Sequence, residues 1–464
     1  MASCVFSLLF LIFLFPTIAA ANPTGLKVRV TDKAQNVLKD VGLAFVEEVV
    51  NRPLPDFPWK WGFLSATIKR LTITHLHADP GQMVLRFQKN SGLHFTIRNL
   101  YFKVELERSI AVHILWTKFK VDTRRVVFGG EGVSATIGVN PYRKGNGRLN
   151  VAIPYCHIRA DHIHMRHSGI LGPIWDLLRP LAHYLFNTRL CSAIQRIILP
   201  NINTMLAGVS TTLKLHDGYY IDYSLSGDIR TTFFSLDVPF RGLVFRQGVT
   251  MDIKSIKTGT EPVFKENYKM AYVGISEFVF NSAAMSLYRS GPLKLQIPQI
   301  DPSTNRILET VGLPVGPVKV KLTKPPIVSI RQSGLTVYVK ARAQSLVKQR
   351  LTPLPLTCQV DLKVNIRGKH LDLLSKDAKC KVQPQTFGGK LVAPLVNIGL
   401  NRKITDDLMR YFDEGLVVPL PKGVFLTQGN IDYQNGFLVI GGNLKLTPAE
   451  RKNVVRGFGK KTEL

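Results

Sequence analysis

His157, His162, His164 and His167 stand beside Cys156 and Asp161, and imidazole, thiolate and carboxylate are the side chains that hold transition metals. His162 and His164 are two residues apart, so a strand would point both the same way, as two ligands could. Neither a His-Glu-x-x-His helix nor a second ligand group at fixed spacing accompanies them. They therefore read as the polar face of a strand entering a loop, and no metal or other cofactor is expected. Gly132-Val133-Ser134-Ala135-Thr136 and Gly274-Ile275-Ser276-Glu277-Phe278 both lack the closing glycine of a nucleophile elbow. Gly129-Gly130-Glu131-Gly132 has no Lys-Ser/Thr after it, so it reads as a tight turn rather than a phosphate loop. Nothing here predicts an enzyme.

The chemistry that remains is that of a surface. Trp59-Lys60-Trp61 places two indoles around a cation directly after Pro58. Indole favours the water–lipid boundary, and Lys adds attraction to anionic headgroups. Basic residues also gather at expected strand ends: Arg108; Lys118, Lys120, Arg124 and Arg125; Arg143, Lys144 and Arg148. If these turns share one end of a sheet, they make a cationic tip. The whole chain carries 61 Lys+Arg against 32 Asp+Glu, a net charge of +29. The excess is spread evenly, +14 before residue 216 and +15 from there on.

Residues 1–21 hold no charged side chain, with an apolar run Val5–Phe15 and the small residues Ala19-Ala20-Ala21. They read as a signal peptide, which makes this a secreted, extracellular protein. A secreted polycation meets membrane surfaces and anionic glycolipids rather than the genome. No nucleic-acid motif is present, and no nucleic-acid partner is expected. After residue 21 no uncharged apolar run approaches the ~20 residues that span a bilayer. The ending Lys461-Thr462-Glu463-Leu464 is a weak echo of a retrieval signal and reads as a chance ending.

The elements that position these groups alternate in type. After a short strand at Leu26–Val30, Thr31 is a candidate N-cap for a helix to about Asn51, with Val37, Leu38, Val41, Phe45 and Val49 on one face. From Phe57 to about Ile163 the period becomes two, as in Leu93, Phe95, Ile97 and Phe102, Val104, Leu106. A helix over about Gly172–Leu206 follows, kinked or delayed by Pro180. The second half repeats the order. Strands fill most of Ala271–Ile366, a helical region covers about Leu391–Leu416, and a last strand takes Phe437–Ile440. Strand-rich sheet plus long amphipathic helix, twice over, reads as a tandem α+β protein. Of the cysteines outside the signal, Cys156, Cys191, Cys358 and Cys380 permit three pairings, and nearest-neighbour pairing is expected in an oxidising compartment.

Several stretches resemble the family of bactericidal/permeability-increasing protein, lipopolysaccharide-binding protein and the plasma phospholipid- and cholesteryl-ester-transfer proteins. They are Asn22-Pro23-Thr24-Gly25-Leu26 with Thr31-Asp32-Lys33, Leu54-Pro55-Asp56-Phe57, and Cys156 through His164 and Trp175 to Cys191. Met270 to Asn281 (MAYVGISEFVFN), Gly415 to Pro421 and Gly436 to Gly441 complete the series. Met270–Asn281 is the most specific, similar to the opening strand and helix of the family's C-terminal barrel. The resemblance implies an elongated boomerang of two similar barrels, each an antiparallel sheet with long helices, joined by a central β-sheet. Its divisions would be a signal peptide 1–21, an N-terminal lipid-binding barrel 22–215, a central sheet and linker 216–270 and a C-terminal lipid-binding barrel 271–420. A return strand 421–445 and a basic tail 446–464 would follow. It also implies apolar pockets for phospholipid acyl chains and, in the first two kinds of member, a basic tip that binds the lipid A part of lipopolysaccharide in antibacterial defence. Carried onto this chain, that tip would hold Lys60, Arg108, Lys118, Lys120, Arg143 and Lys144, with Trp59 and Trp61 as membrane contacts. Phospholipid transfer is the alternative function. The expected partners are lipopolysaccharide, phospholipids and anionic membrane surfaces, engaged by a monomer. Cys358 and Cys380 have no counterpart in the family pattern and are expected to staple a C-terminal hairpin.

Overall fold

A computed structural model describes residues 22–50, 57–61, 64–77, 79–114, 117–167, 191–192, 194–215, 218–297, 306, 310, 316–346, 353–367, 370–394, 396–397, 401, 416–417 and 424–446. The expected signal peptide, the basic tail, Leu54-Pro55-Asp56, Trp175, Pro180 and most of the later part of the expected Leu391–Leu416 helix lie outside the described residues.

The chain is α+β, with two strand-rich units meeting at a six-stranded antiparallel sheet. That sheet runs Arg230–Thr231, Ser235–Phe240, Leu26–Thr31, Ala271–Ser276, Phe437–Leu446, Val424–Gln434. It therefore collects strands from sequence ranges read as belonging to both barrels. The reason is burial: every residue of Ala271–Ser276 is buried, which suits a central strand with neighbours on both edges. The largest core cluster lies here, with Leu26, Val273, Ile275, Leu438 and Ile440 all at or below 1% exposure.

Gly92–Ile114 and Thr117–Arg143 form the long hairpin at the middle of the N-terminal sheet, flanked by Leu64–His77 with Phe57–Trp61 on one side and Leu149–Arg159 on the other. Met83–Gln88 and His162–His167 join its two central strands. The C-terminal sheet runs Leu293–Ile297, Gly316–Leu322, Gly334–Ser345, Leu354–Arg367, His370–Val382, Leu416–Val417. Ile327–Arg331 pairs alongside Gly334–Ser345. Alternation is clear at Phe102 and Val104, buried on either side of half-buried Lys103, and at Val360, Leu362 and Val364, buried while Lys363 and Asn365 are exposed. Leu93, Phe95 and Ile97 are only half-buried, as are His94 and Thr96 between them.

Three expectations change. Thr31 does not cap with its side chain; its hydroxyl donates to the Lys269 carbonyl at 2.6 Å, and a 3₁₀ turn Asp32–Ala34 leads into helix α1 (Gln35–Val50). Gly129–Gly132 is not a turn but the middle of the 27-residue strand Thr117–Arg143. A side chain at Gly130 would strike the Phe102 ring, and Gly132, at φ +63°, sits beside a break in register opposite Leu100. Leu416 is not helical; it pairs with Leu371 as a strand.

The central sheet is tied to its neighbours by helix α3 (Glu277–Arg289), whose N-cap Ser276 accepts the Phe278 amide at 3.2 Å. Four buried polar side chains of α3 complete the edges of two strands. Glu277 accepts the Ile330 amide at 2.8 Å, and Asn281 accepts the Val328 amide at 2.7 Å and donates to the Val328 carbonyl at 3.1 Å. Ser282 and Ser286 accept the amides of Val244 and Arg246 at 2.9 and 2.8 Å. Edge strands need such partners because a buried unpaired amide costs about 1–3 kcal/mol.

Candidate functional site

In the N-terminal unit a helix is strapped along an edge strand. Helix α2 (Leu199–Gly208), preceded by a π turn at Ile194–Ile198, runs against Leu149–Arg159, and none of its residues is buried. Polar ties hold it instead. The Asn203 amide group brackets Val151, accepting its N–H at 2.8 Å and donating to its carbonyl at 3.0 Å. Gln195 donates to the Ile153 carbonyl at 3.1 Å. Arg148 donates to the Ala207 carbonyl and, at 3.1 Å, to that of Val209, where the helix leaves carbonyls unpaired. The Cys156–Cys191 disulfide closes the upper end.

These ties follow the strand in order, which leaves the aliphatic side chains Ile198, Leu199, Ile202, Met205 and Leu206 only half-buried. Helix α1 is similar: Val37, Leu38 and Val41 are half-buried, and Lys39 anchors it to the Met83 carbonyl at 3.3 Å. A helix held by polar ties does not need its apolar face for its own attachment.

The C-terminal unit uses the same device. Asn397 accepts the Val382 amide at 2.9 Å and Asn401 the Cys380 amide at 2.6 Å, both from helical positions, of which 387–394, 396–397 and 401 are described. Cys358 and Cys380 face each other across the Leu354–Arg367 and His370–Val382 strands and are bonded, both buried. Both nearest-neighbour pairings are thus present. Replacing Cys156 and Cys191 by Ser should lower stability by about 4 kcal/mol on the loop-entropy scale for a separation of 35, read by denaturant unfolding under oxidising conditions.

The six cations expected to share a tip fall into two groups. Lys60 pairs in register with Ser65, Ser65 with Ala111, and Ala111 with Lys120, so Lys60 and Lys120 occupy one row across four strands. Lys118 pairs with His113 two rows nearer the hairpin end, and Arg108 lies opposite Arg124 further back. Trp59 and Trp61 flank Lys60 on the same short strand. Arg143 and Lys144 sit at the other end of Thr117–Arg143, roughly 80 Å of extended chain away. There Arg143 donates to the Leu225 carbonyl at 3.0 Å, against the central sheet, while Lys144 is exposed in a tight turn. The single-tip placement of Arg143 and Lys144 with the other four is therefore corrected: hairpins alternate ends, and these two turns are on opposite ends. Arg125 is engaged by Glu105.

His162 and His164 do share a face, both exposed; His164 lies 3.6 Å from the Glu131 carboxylate, itself exposed. Among the described residues no three His, Cys, Asp or Glu side chains are grouped to hold a metal. Sequence reading missed Asn203, Asn397 and Asn401. Asn397 and Asn401 carry a visible signal, amides four apart on an otherwise apolar helix face.

Two sheet units, each with a helix strapped to a strand and joined through a shared central sheet, define a tandem α+β scaffold. The family model described as "LBP / BPI / CETP family, C-terminal domain" matches residues 213–446, half of the chain. The chain belongs to that lipid-binding and lipid-transfer family. It is 26% identical over 471 residues to human phospholipid transfer protein, covering 94% of this chain and 92% of the relative. It is 24% identical over 477 residues to human lipopolysaccharide-binding protein, covering 93% and 95%. The crystal structure of a lipopolysaccharide binding protein superposes with a TM-score of 0.51 at 17% identity, covering 92% of this chain and 99% of that one.

Proposed function

We propose that the protein is a secreted, non-enzymatic carrier that takes up the acyl chains of an anionic glycolipid of the lipid A type, as part of defence against Gram-negative bacteria. The observation that carries this reading is the charge of +29 together with Lys60, Lys118 and Lys120 within two rows of one another at one hairpin end. The division of labour follows from magnitudes. Burying a chain of ~14 carbons is worth on the order of 11 kcal/mol gross, whereas each cation near an anionic surface adds about 1. Apolar faces would retain the lipid, and charge would select and steer toward it.

Similarity to phospholipid transfer protein along nearly the whole chain favours a second reading, the movement of phospholipid between membranes or particles. Such transfer has no need of so strong a charge. The two readings separate in competitive binding of the mature protein to lipid A and to phosphatidylcholine vesicles at low and physiological salt. A strong, salt-weakened preference for lipid A is expected. Equal or better binding to phosphatidylcholine, insensitive to salt, would replace the first reading with the second.

A further inference from the structure

At the outer edge of the central sheet, Arg230–Thr231 turns into Ser235–Phe240 through residues 232–234. Thr232 fixes this turn. Its amide donates to the Ser235 carbonyl at 2.8 Å, and its hydroxyl oxygen accepts the Phe234 and Ser235 amides at 3.2 and 3.0 Å. The Asp32 amide donates to the Phe234 carbonyl at 2.8 Å, so the backbone is also held from the start of α1. On this braced turn Phe233 is 56% and Phe234 59% exposed. They border a cleft of about 260 Å³ whose floor includes the buried Leu85 and Phe87.

Exposed cations surround the pair. Arg86 lines the cleft, Lys33 follows Asp32, Arg230 opens the hairpin, and Lys89 precedes Asn90, whose amide donates to the Thr231 carbonyl at 3.2 Å. Against these stand Asp32 in the cleft and Asp228 nearby, which leaves a positive surplus.

We propose that the Phe233-Phe234 turn is a membrane-docking element that enters the interfacial layer of an anionic phospholipid bilayer. Two adjacent open aromatics on one turn mark an interaction site rather than ordinary surface. Because the turn is already ordered, docking loses little conformational freedom. The surrounding cations complement anionic headgroups, which selects a membrane over an apolar protein groove as the occupant. The element is separate from the Lys60–Lys120 hairpin end and does not rest on the lipid A reading.

The test uses the full mature chain and phosphatidylcholine vesicles containing a minority of phosphatidylglycerol, without lipid A. Phe233→Ser/Phe234→Ser should lower co-sedimentation with these vesicles by roughly tenfold to a hundredfold, at unchanged thermal stability. Phe234→Trp should retain binding and add fluorescence that brominated phosphatidylcholine in the bilayer quenches, beyond the quenching of the parent chain. Unchanged partition of the double variant, or no added quenching of the Trp variant, would overturn the proposal. Lipid A affinity measured in parallel reports on the carrier function independently.

Discussion

Replacing Lys60, Lys118 and Lys120 together by Glu should weaken lipid A binding by a hundredfold or more at low salt and flatten its salt dependence. The three residues lie within two rows of one another at one end of the sheet, so their reversal changes the sign of one locality rather than diluting charge over the chain. At about 1 kcal/mol for each cation lost and each anion gained, the upper limit is near 6 kcal/mol. Screening over a Debye length of about 10 Å at ordinary salt reduces it. Lys144→Glu is the matched control, an exposed cation at the far end of the same long strand, and should cost no more than about threefold. Phosphatidylcholine binding should be unaffected by either change. Equal losses from Lys144→Glu and the triple variant would show that only net charge matters and remove the assignment to this hairpin end.

Glu277→Ala should be among the most destabilising single substitutions in the chain. The carboxylate is 2% exposed; one oxygen accepts the Ile330 amide at 2.8 Å and lies 3.5 Å from the Arg331 guanidinium, and the other meets the Lys257 ammonium at 2.9 Å. Removing one member of a buried ion pair typically costs about 3–5 kcal/mol. Lys257 and Arg331 are half-exposed and regain water, so a loss near 3 kcal/mol is expected, much of it from the orphaned Ile330 amide. Glu277→Gln keeps an acceptor for that amide and should lose about half as much. Chemical unfolding of the two variants decides between a tie made by hydrogen bonding and one made by charge. Equal losses would assign the tie to charge alone.

Much of the fold was legible because its signals are local. Period-two alternation at Phe102 and Val104 and the helical spacing of Val37, Leu38 and Val41 in α1 depend on neighbours within a few residues. The cysteine pairing was legible for a different reason, since an oxidising compartment and short separations favour it over the other two arrangements. Strand length was not legible. Glycines at 129–132 look like a turn, yet Gly130 makes room for the Phe102 ring and Gly132 takes a bulge, so the strand continues through them.

The functional surface divides in the same way. Composition determined that the surface is cationic, and residue types determined that no assembled nucleophile or metal site was to be expected. Which cations stand together was decided only by register, because Arg143 and Lys118 belong to one strand but to its opposite ends. The ties that hold the helices to their strands were likewise set by tertiary structure. Asn203 reaches a strand 52 residues earlier, and Glu277 one 53 residues later. A polar side chain on an apolar helix carries no mark of its partner, since the amide it completes belongs to an edge that exists only once the sheet has formed.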